Sequence, residues 1–155
     1  MNLATPTDAQ ILPVALPTPL VRLHGPGGWG LRLGHLGALQ ALLDGHSSWA
    51  TGRSRRDLAR MLAGSAASVS AWQGPRLVGF GRASSDGVFR ATLWDVVVTE
   101  ELRGQGVGRL LLERLLQAPT LRGVERIYLM TSHAAPFYER LGFQRVDHQT
   151  LMLRE

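Results

Sequence analysis

The chain is 155 residues long, contains no cysteine and carries a formal net charge of +5. This length suits a single domain with a substantial core. The missing thiols exclude a disulfide framework, a thiolate metal site and a cysteine nucleophile. All 17 basic residues are arginines, and their one cluster, at residues 53–60, is typical of a solvated helix face. The charge therefore indicates no nucleic-acid partner.

The start of the chain shows no targeting signal. The first 20 residues lack a basic start, and Pro13, Pro17 and Pro19 interrupt their apolar run. Neither a signal helix nor a membrane span tolerates these breaks, so we expect a bacterial cytoplasmic protein without a membrane partner. Five of the eight prolines fall in residues 1–26, which predicts an extended or poorly ordered lead-in before a single domain at 27–155.

The first half of the domain predicts one strand and two helices. Residues 29–33 are a candidate strand. A second helix begins at Ser54, which forms a capping pair with Asp57, and it ends at Gly64. The first helix ends at Gly45, and the leucines that mark it at helical spacing are Leu36, Leu39, Leu42 and Leu43. The second helix is expected to bury Leu58, Met61 and Leu62.

The pattern then changes to strands. Residues 68–72, 76–82 and a third strand that ends at Val98 are separated by turn residues, which predicts an antiparallel meander. A helix follows from Val107. It leads to a strand at 126–130, which the crossover should place parallel to the third strand.

The last part of the chain predicts a helix and a strand pair. Pro136 at a first helical position and Gly142 just past the end frame the helix. Residues 144–147 and 150–153 are expected to form the pair. The whole order predicts an α+β fold, with a central mixed and mostly antiparallel sheet, one parallel pair and about four helices.

A glycine-rich turn precedes the helix at Val107. Gly104, Gly106 and Gly108 let the backbone approach a ligand, and the free N–H groups of the helix's first turn face outward. Such a turn binds an anion, most plausibly a phosphate. The chain has no lysine, which excludes a P-loop, and the glycine spacing does not match a dinucleotide fingerprint.

Two motifs in this region form a known combination. Residues 103–108 fit Arg-x-x-Gly-x-Gly, and residues 138–143 fit Tyr-x-x-x-Gly-Phe. In this order they resemble the GCN5-related N-acetyltransferase (GNAT) family, and the resemblance spans about half of the chain. It implies the GNAT fold, in which the parallel strand pair splays apart to admit acetyl-CoA as cosubstrate, with no metal.

The resemblance also implies which residues bind the cofactor. The backbone of Val96 and Val98 would pair with the pantetheine arm, while Arg103 and Arg109 would pair with phosphate. Thr131 stands where many members have an asparagine that contacts the pantetheine. The full set is Val96, Val97, Val98, Arg103, Gly104, Gln105, Gly106, Val107, Gly108, Arg109 and Thr131.

Two residues are candidates for catalysis. By resemblance Tyr138 is the general acid for the departing thiolate. An amine of pKa about 10 is protonated at neutral pH, so a base must take its proton. Asp95 is the first candidate, because an aspartate in an apolar strand needs a partner or a task. A salt bridge to an arginine is the structural alternative, and His133 is the second candidate base.

Two segments, 47–51 and 84–89, are expected to wall the acceptor side. They offer Trp49 and Phe89 for substrate binding, with Asp86 as the one acid. This composition suits a small amine with an aromatic body better than a polyamine. Trp49 can instead pack the helix pair onto the sheet.

A narrower resemblance concerns the acceptor. Residues 78–89, 93–98 and 128–131 resemble the branch of cyanobacterial and plastid acetyltransferases, some acting on arylalkylamines such as serotonin and others on protein lysines or N-termini. We therefore predict an acetyl-CoA-dependent N-acetyltransferase for a small-molecule or protein amine, as a monomer or homodimer. The alternatives are a non-catalytic acyl-CoA-binding sensor and a nucleotide-binding oxidoreductase, which would bind NAD.

Overall fold

The computed structural model of the protein describes residues 20–26 and 31–155. Within these residues it contains one five-stranded sheet and four α-helices. Two short 3-10 turns lie at Leu33–His35 and Glu100–Leu102. The strands and helices, in chain order, are β1 (Arg22–His24), α1 (Leu36–His46), α2 (Arg55–Ala63), β2 (Ala67–Gln73), β3 (Arg76–Ser85), β4 (Arg90–Val98), α3 (Val107–Leu116), β5 (Arg126–Tyr128) and α4 (Ala135–Glu139).

The strands lie in the sheet in chain order. The first four pair antiparallel, whereas β5 follows the α3 crossover and pairs parallel with β4. The parallel pairing runs from Arg90 opposite Arg126 to Thr92 opposite Tyr128. Since β4 continues to Val98 while β5 ends at Tyr128, the pairing of the two strands covers only the first part of β4.

One face of the sheet packs against α3. Leu111, Leu112 and Leu115 of this helix are fully buried in the core that it forms with β2 and β3. Gly79 and Gly81 in β3 allow a close approach, since a Cβ built on Gly81 would lie 2.7 Å from Leu111 Cδ2. This close packing positions the start of α3, and therefore the glycine-rich turn before it.

The opposite face packs against α1 and α2. Leu43 of α1 and Leu58 of α2 are fully buried there together with Phe80, and Val97 of β4 is nearly so. This second core holds the loop between α1 and α2 over the middle of the sheet, where the acceptor side is expected.

Several expectations are confirmed. Ser54 caps α2, and its hydroxyl accepts a hydrogen bond from the N–H of Asp57 at 3.1 Å. The helix ends before Gly64. The meander, the crossover helix and the parallel pair form the mixed α+β sheet that the sequence predicts.

The N-terminal part of the fold differs from the prediction. The first described strand is β1, which lies within the predicted extended lead-in and pairs with β2. Of the predicted strand at 29–33, residues 29 and 30 lie outside the described residues and Leu33 begins a 3-10 turn. The other lead-in residues, 1–19, also lie outside. Helix α1 continues through Gly45 to His46, because a glycine costs a helix only about 1 kcal/mol.

In α2, Leu58 is fully buried, whereas Met61 and Leu62 are half-buried at the edge of the core. The C-terminal residues also differ from the prediction. Residues 144–147 and 150–153 form no strands, and the three apolar residues at the end of the chain are exposed. An isolated strand pair is only marginally stable unless one apolar face packs against the core, and the apolar side chains of these residues do not pack against it. Strand β5 also ends early, at Tyr128, and Pro136 is the second residue of α4.

Candidate active site

Strand β4 contains a β-bulge. Opposite Gly81 of β3 it has two residues, Asp95 and Val96, so one residue of β4 is extra. The backbone of Asp95 has φ +52, in the left-handed region that few residues other than glycine adopt. Arg82 contacts the side chains of both Trp94 and Asp95, so the bulge brings these neighbours to one face of the sheet. Backbone strain of this kind clusters at functional sites.

Asp95 forms ion pairs with two arginines. Its carboxylate oxygens lie 3.0 Å from Nη1 of Arg53 and 2.7 Å from Nε of Arg82. The side chain of Asp95 is 4% exposed and that of Arg53 is 34% exposed. Arg53 ends the loop between α1 and α2, where Gln40 donates a hydrogen bond to its carbonyl at 2.9 Å. The salt bridge considered as the structural role of Asp95 is therefore present, and both carboxylate oxygens already accept hydrogen bonds.

A tryptophan that the sequence reading did not single out lies beside this cluster. The guanidinium of Arg82 is 5.9 Å from the centroid of the Trp94 ring, and the indole N–H donates to Ser84 at 2.9 Å. Strand alternation predicts that Trp94 and Asp95 face opposite sides. The bulge cancels this alternation, which is why the sequence pattern alone did not bring the two residues together.

The outer edge of β4 is unpaired beyond Thr92 among the described residues. The N–H of Thr99 donates to Val78 of β3 at 2.9 Å, and Val97 pairs with β3 as well. Alternate residues point their backbone groups to opposite sides, so those of Val98 face the gap toward β5. This free backbone edge is where the pantetheine arm is expected.

The turn before α3 is open to a ligand. Gly104 has φ +76 and Gly106 has φ +87, and a Cβ built on either would meet nothing within 4 Å. Helix α3 begins at Val107, and the first hydrogen bond of the helix is donated by the N–H of Leu110 to the Gly106 carbonyl at 3.0 Å. The N–H groups of the preceding helical residues have no acceptor inside the helix and can bind an anion.

The glycine turn, β4 and α4 meet at Gly108. A Cβ built on this residue would lie 3.5 Å from the ring of Phe137 in α4 and 3.7 Å from Val98 at the end of β4. The first turn of α3, the free edge of β4 and the helix that carries Tyr138 therefore border the same gap.

Two polar side chains of the turn form hydrogen bonds to backbone carbonyls of the protein. Arg103 donates from Nε to the Val98 carbonyl at 3.1 Å and from Nη2 to the His46 carbonyl at 3.0 Å. Gln105 donates to the carbonyl of Glu101 at 2.6 Å. Arg103 thus anchors the turn between β4 and α1. Its pairing with phosphate stays a prediction.

Arg109 and Thr131 also have protein partners. Arg109 donates to Glu113 one helical turn away at 2.7 Å, and this hydrogen bond raises the pKa of the guanidinium. The hydroxyl of Thr131 accepts from the N–H of Ala134 at 3.0 Å and so holds the chain that enters α4. His133 lies exposed in the same loop. The cofactor contacts of Arg109 and Thr131 stay predictions.

Tyr138 is half-buried on α4. The rings of Phe137 and Phe143 lie edge-on at 4.9 and 5.9 Å from its ring. The N–H of Gly142 donates to Glu139 and that of Phe143 to Tyr138, both at 3.1 Å, which is the helix ending that a glycine at C′ permits. Burial raises the pKa of Tyr138 above its ordinary 10.0. The phenol therefore stays protonated at neutral pH, as a general acid requires.

The two aromatic residues predicted on the acceptor side are exposed, Trp49 to 61% and Phe89 to 60%. Trp49 does not pack the helices onto the sheet, and it lies in the loop that Arg53 ties to Asp95. Phe89 precedes β4, and the rise of an extended strand places it about 20 Å from Asp95. One small amine cannot contact both Phe89 and Asp95, and Trp94 is the aromatic residue of β4 that lies beside Asp95. Substrate binding by Trp49 and Phe89 stays a prediction.

Asp86 holds the hairpin between β3 and β4. One carboxylate oxygen accepts from the N–H groups of Val88, Phe89 and Arg90 at 2.8, 2.7 and 3.0 Å. These backbone hydrogen bonds, led by that of Arg90, lower the pKa of Asp86. The residue is therefore engaged in the turn itself.

Residues 20–26 and 31–155 contain no group of three His, Asp or Glu side chains that could hold a metal ion. Nor do they contain a helix with the length and apolar character needed to cross a membrane.

Comparison with known proteins gives matches to one family. The model of the acetyltransferase (GNAT) family matches residues 38–143. The chain is 44% identical over 73 residues to GCN5-related N-acetyltransferase 2, chloroplastic, of Arabidopsis thaliana, which covers 46% of this chain and 28% of that protein. It is 45% identical over 69 residues to Serotonin N-acetyltransferase 2, chloroplastic, of Oryza sativa subsp. japonica, which covers 44% of this chain and 34% of that protein. The matches thus span about a third or less of these relatives.

A solved structure agrees over nearly the whole chain. A protein of Xanthomonas campestris pv. campestris, described as belonging to the GNAT family of acetyltransferases, superposes with a TM-score of 0.73 at 29% identity. The match covers 89% of this chain and 94% of that one. Together with the two motifs and the chloroplastic relatives, these matches confirm the resemblance: the chain belongs to the acetyltransferase (GNAT) family.

Proposed function

We propose that the protein transfers the acetyl group of acetyl-CoA to a primary amine. The observation that carries this proposal is the meeting of three features at Gly108: the open glycine turn, the unpaired edge of β4 and the helix of Tyr138. A phosphate-bearing ligand with an extended amide arm fits these features in that order. Acetyl-CoA has this shape and supplies the acetyl group as a thioester.

The chain's own residues bind and orient this cosubstrate. The N–H groups in the first turn of α3 bind the pyrophosphate, because they lack helical partners and lie at the positive end of the helix dipole. The N–H of Val98, whose carbonyl accepts from Arg103, pairs with the pantetheine together with the backbone of Val96 in the bulge. A backbone N–H in this part of β4 then polarises the thioester carbonyl, where negative charge develops during attack.

Two proton transfers complete the reaction. Tyr138 gives its proton to the departing thiolate, which its raised pKa permits because the phenol is neutral at the working pH. The amine must lose a proton before or during attack. Asp95 is the proposed acceptor of this proton, and the transfer passes through water because Arg53 and Arg82 already donate to both of its oxygens. His133, exposed in the loop before α4, is the alternative base.

For the acceptor we propose a small amine with an aromatic body, such as tryptamine or serotonin. Aromatic surface comes from Trp94, whose ring lies 5.9 Å from the Arg82 guanidinium, and from Trp49, which is exposed in the loop before Arg53. Arg53 and Arg82 on the same side disfavour a polyamine, whose charges they repel. The name of the rice relative points to the same class. A cytoplasmic location and a monomer or homodimer remain part of the proposal.

Two measurements test the proposal. In thermal denaturation, acetyl-CoA or CoA at 100 times its dissociation constant should add about 2.7 kcal/mol of stability, whereas NAD and ATP should add none. Release of CoA thiol is then followed with tryptamine, serotonin, spermidine and a lysine peptide. Stabilisation without turnover of any amine would indicate a sensor module. Higher kcat/KM for the lysine peptide than for the arylalkylamines would indicate a protein acetyltransferase.

A further inference from the structure

The acceptor side has more positive charge than its carboxylate neutralises. A guanidinium has five N–H donors. Arg82 uses its Nε on Asp95, and Arg53 uses Nη1 on Asp95 and, at 3.8 Å, on the sulfur of Met61. Among the described residues, Asp95 is the one carboxylate that forms an ion pair with either arginine. One positive charge and several N–H donors are therefore left over.

The acids of α1 and α2, the helices on this face of the sheet, have partners of their own. Asp44 accepts a hydrogen bond from the N–H of Gly52 at 2.8 Å. Asp57 accepts one from the Ser54 hydroxyl at 2.7 Å and lies 4.0 Å from Arg60. Neither acid forms an ion pair with Arg53 or Arg82.

The surplus positive charge lies where the acceptor amine is expected to bind. Arg53 is 34% exposed and ends the loop that carries Trp49, while Arg82 lies against the ring of Trp94. Both arginines contact Asp95, at the bulge where the thioester carbonyl is expected. An aromatic acceptor that reaches this point brings any group attached next to its amine close to the free guanidinium donors.

We propose that Arg53 and Arg82 select an acceptor that carries an anion, of the carboxylate type, beside the amine on its aromatic body. Among the small aromatic amines proposed as acceptors, an aromatic amino acid is then preferred over an arylalkylamine that lacks the carboxylate. An incoming carboxylate balances the surplus charge and accepts from the planar N–H pairs of a guanidinium, a strong and directional contact. This inference rests on the proposed acetyl transfer.

The test compares tryptophan with tryptamine, which differ by one carboxylate. A carboxylate also lowers the pKa of the neighbouring amine, so the wild-type preference alone is not decisive. The change of that preference between wild type and a variant is decisive. The difference in amine pKa between the two substrates is the same for both proteins and therefore cancels in the comparison. In Arg53→Gln the ratio of kcat/KM for tryptophan to that for tryptamine should fall about tenfold, which corresponds to about 1.4 kcal/mol.

Arg56→Gln is the matched control. It removes the same charge from an exposed arginine of α2 that has no ion pair among the described residues, and it should leave the ratio unchanged. An equal ratio in wild type and Arg53→Gln would overturn the inference. So would an equal fall in both variants, because the effect would then be one of net charge.

A second measurement needs only the wild-type protein. Indole-3-propionate has the aromatic body and the anion but no amine, and its amide lacks the charge. The acid should bind to the protein loaded with CoA about tenfold more tightly than the amide, as measured by calorimetry. Equal affinities would overturn the charge selection. If no amine is acetylated but the acid still binds preferentially, the proposed function fails and the anion site stands.

Discussion

The phenol of Tyr138 is protonated over the whole neutral range, because burial raises its pKa above 10.0. Tyr138→Phe removes the hydroxyl and keeps the edge-on packing against Phe137 and Phe143. We expect kcat to fall about 100-fold with unchanged stabilisation by acetyl-CoA, since the hydroxyl is proposed to act on the leaving sulfur rather than on the bound thioester. Steady-state kinetics and thermal shift measure the two quantities.

The same pKa shift sets the pH dependence. Wild-type kcat should hold on the alkaline side until the pH exceeds 10.0, and the alkaline loss should be absent in Tyr138→Phe. Tyr128 is the other tyrosine of the chain and lies in β5, so Tyr128→Phe is the matched control. A Tyr138→Phe protein with the wild-type kcat would remove this residue from the mechanism.

Asp95 is the second residue whose loss has a defined consequence. Asp95→Asn leaves Arg82 and Arg53 without their carboxylate, and breaking a buried pair by removing one partner costs about 3 kcal/mol. Urea unfolding measures this loss. Glu113→Gln breaks the exposed pair with Arg109 and should cost less than about 1 kcal/mol. Equal stabilities of the two variants would contradict the structural role of Asp95.

The sequence predicts that Asp95, an aspartate in an apolar strand, needs a partner, but it does not predict which residues pair with it. The two arginines are 42 and 13 positions away along the chain, and only the folded sheet brings them together. The position of Trp94 has the same origin, because a bulge reverses the alternation from which faces are predicted. The glycine turn and Tyr138 were predictable, since local motifs mark them.

The glycine turn before α3 is the element that is proposed to bind the phosphates of acetyl-CoA. Gly106→Val places a side chain in the open space over the turn and should abolish stabilisation by acetyl-CoA. The variant also strains a backbone at φ +87, at a cost of about 1–2 kcal/mol. Gly123→Val is the matched control. Gly123 also has a positive φ, of +78, and a Cβ built on it would meet nothing within 4 Å, but it follows α3 and lies away from the turn. Both variants should lose stability, and only Gly106→Val should lose the thermal shift.

The contact between α3 and β3 gives a second test at this scale. Gly81→Ala places a Cβ 2.7 Å from the fully buried Leu111, so the helix must move and we expect a loss of about 1–3 kcal/mol. Gly45→Ala in α1 meets nothing within 4 Å and should gain up to about 1 kcal/mol from helix propensity. Denaturant unfolding that gives the same sign for both changes would contradict the described packing.

The elements were predictable to different degrees. Periodicity and caps mark α2 and the meander, and the structure contains both. Residues 144–153 show similar alternation but form no strands, because alternation does not provide a packed surface for them. Strand β1 exists through its pairing with β2, a partner far along the chain that local pattern cannot indicate.

Strand β5 is held in the sheet by a short stretch of pairing with β4, and beyond Thr92 the two strands have no described pairing. The N–H of Val98 faces this gap, whereas Thr99 donates to β3 and Val97 pairs with it. In the free protein the Val98 amide should therefore exchange its hydrogen for deuterium faster than the amides on either side. Acetyl-CoA, by pairing with this edge, should slow the exchange at Val98 to the rate of its neighbours and so complete the sheet across the gap.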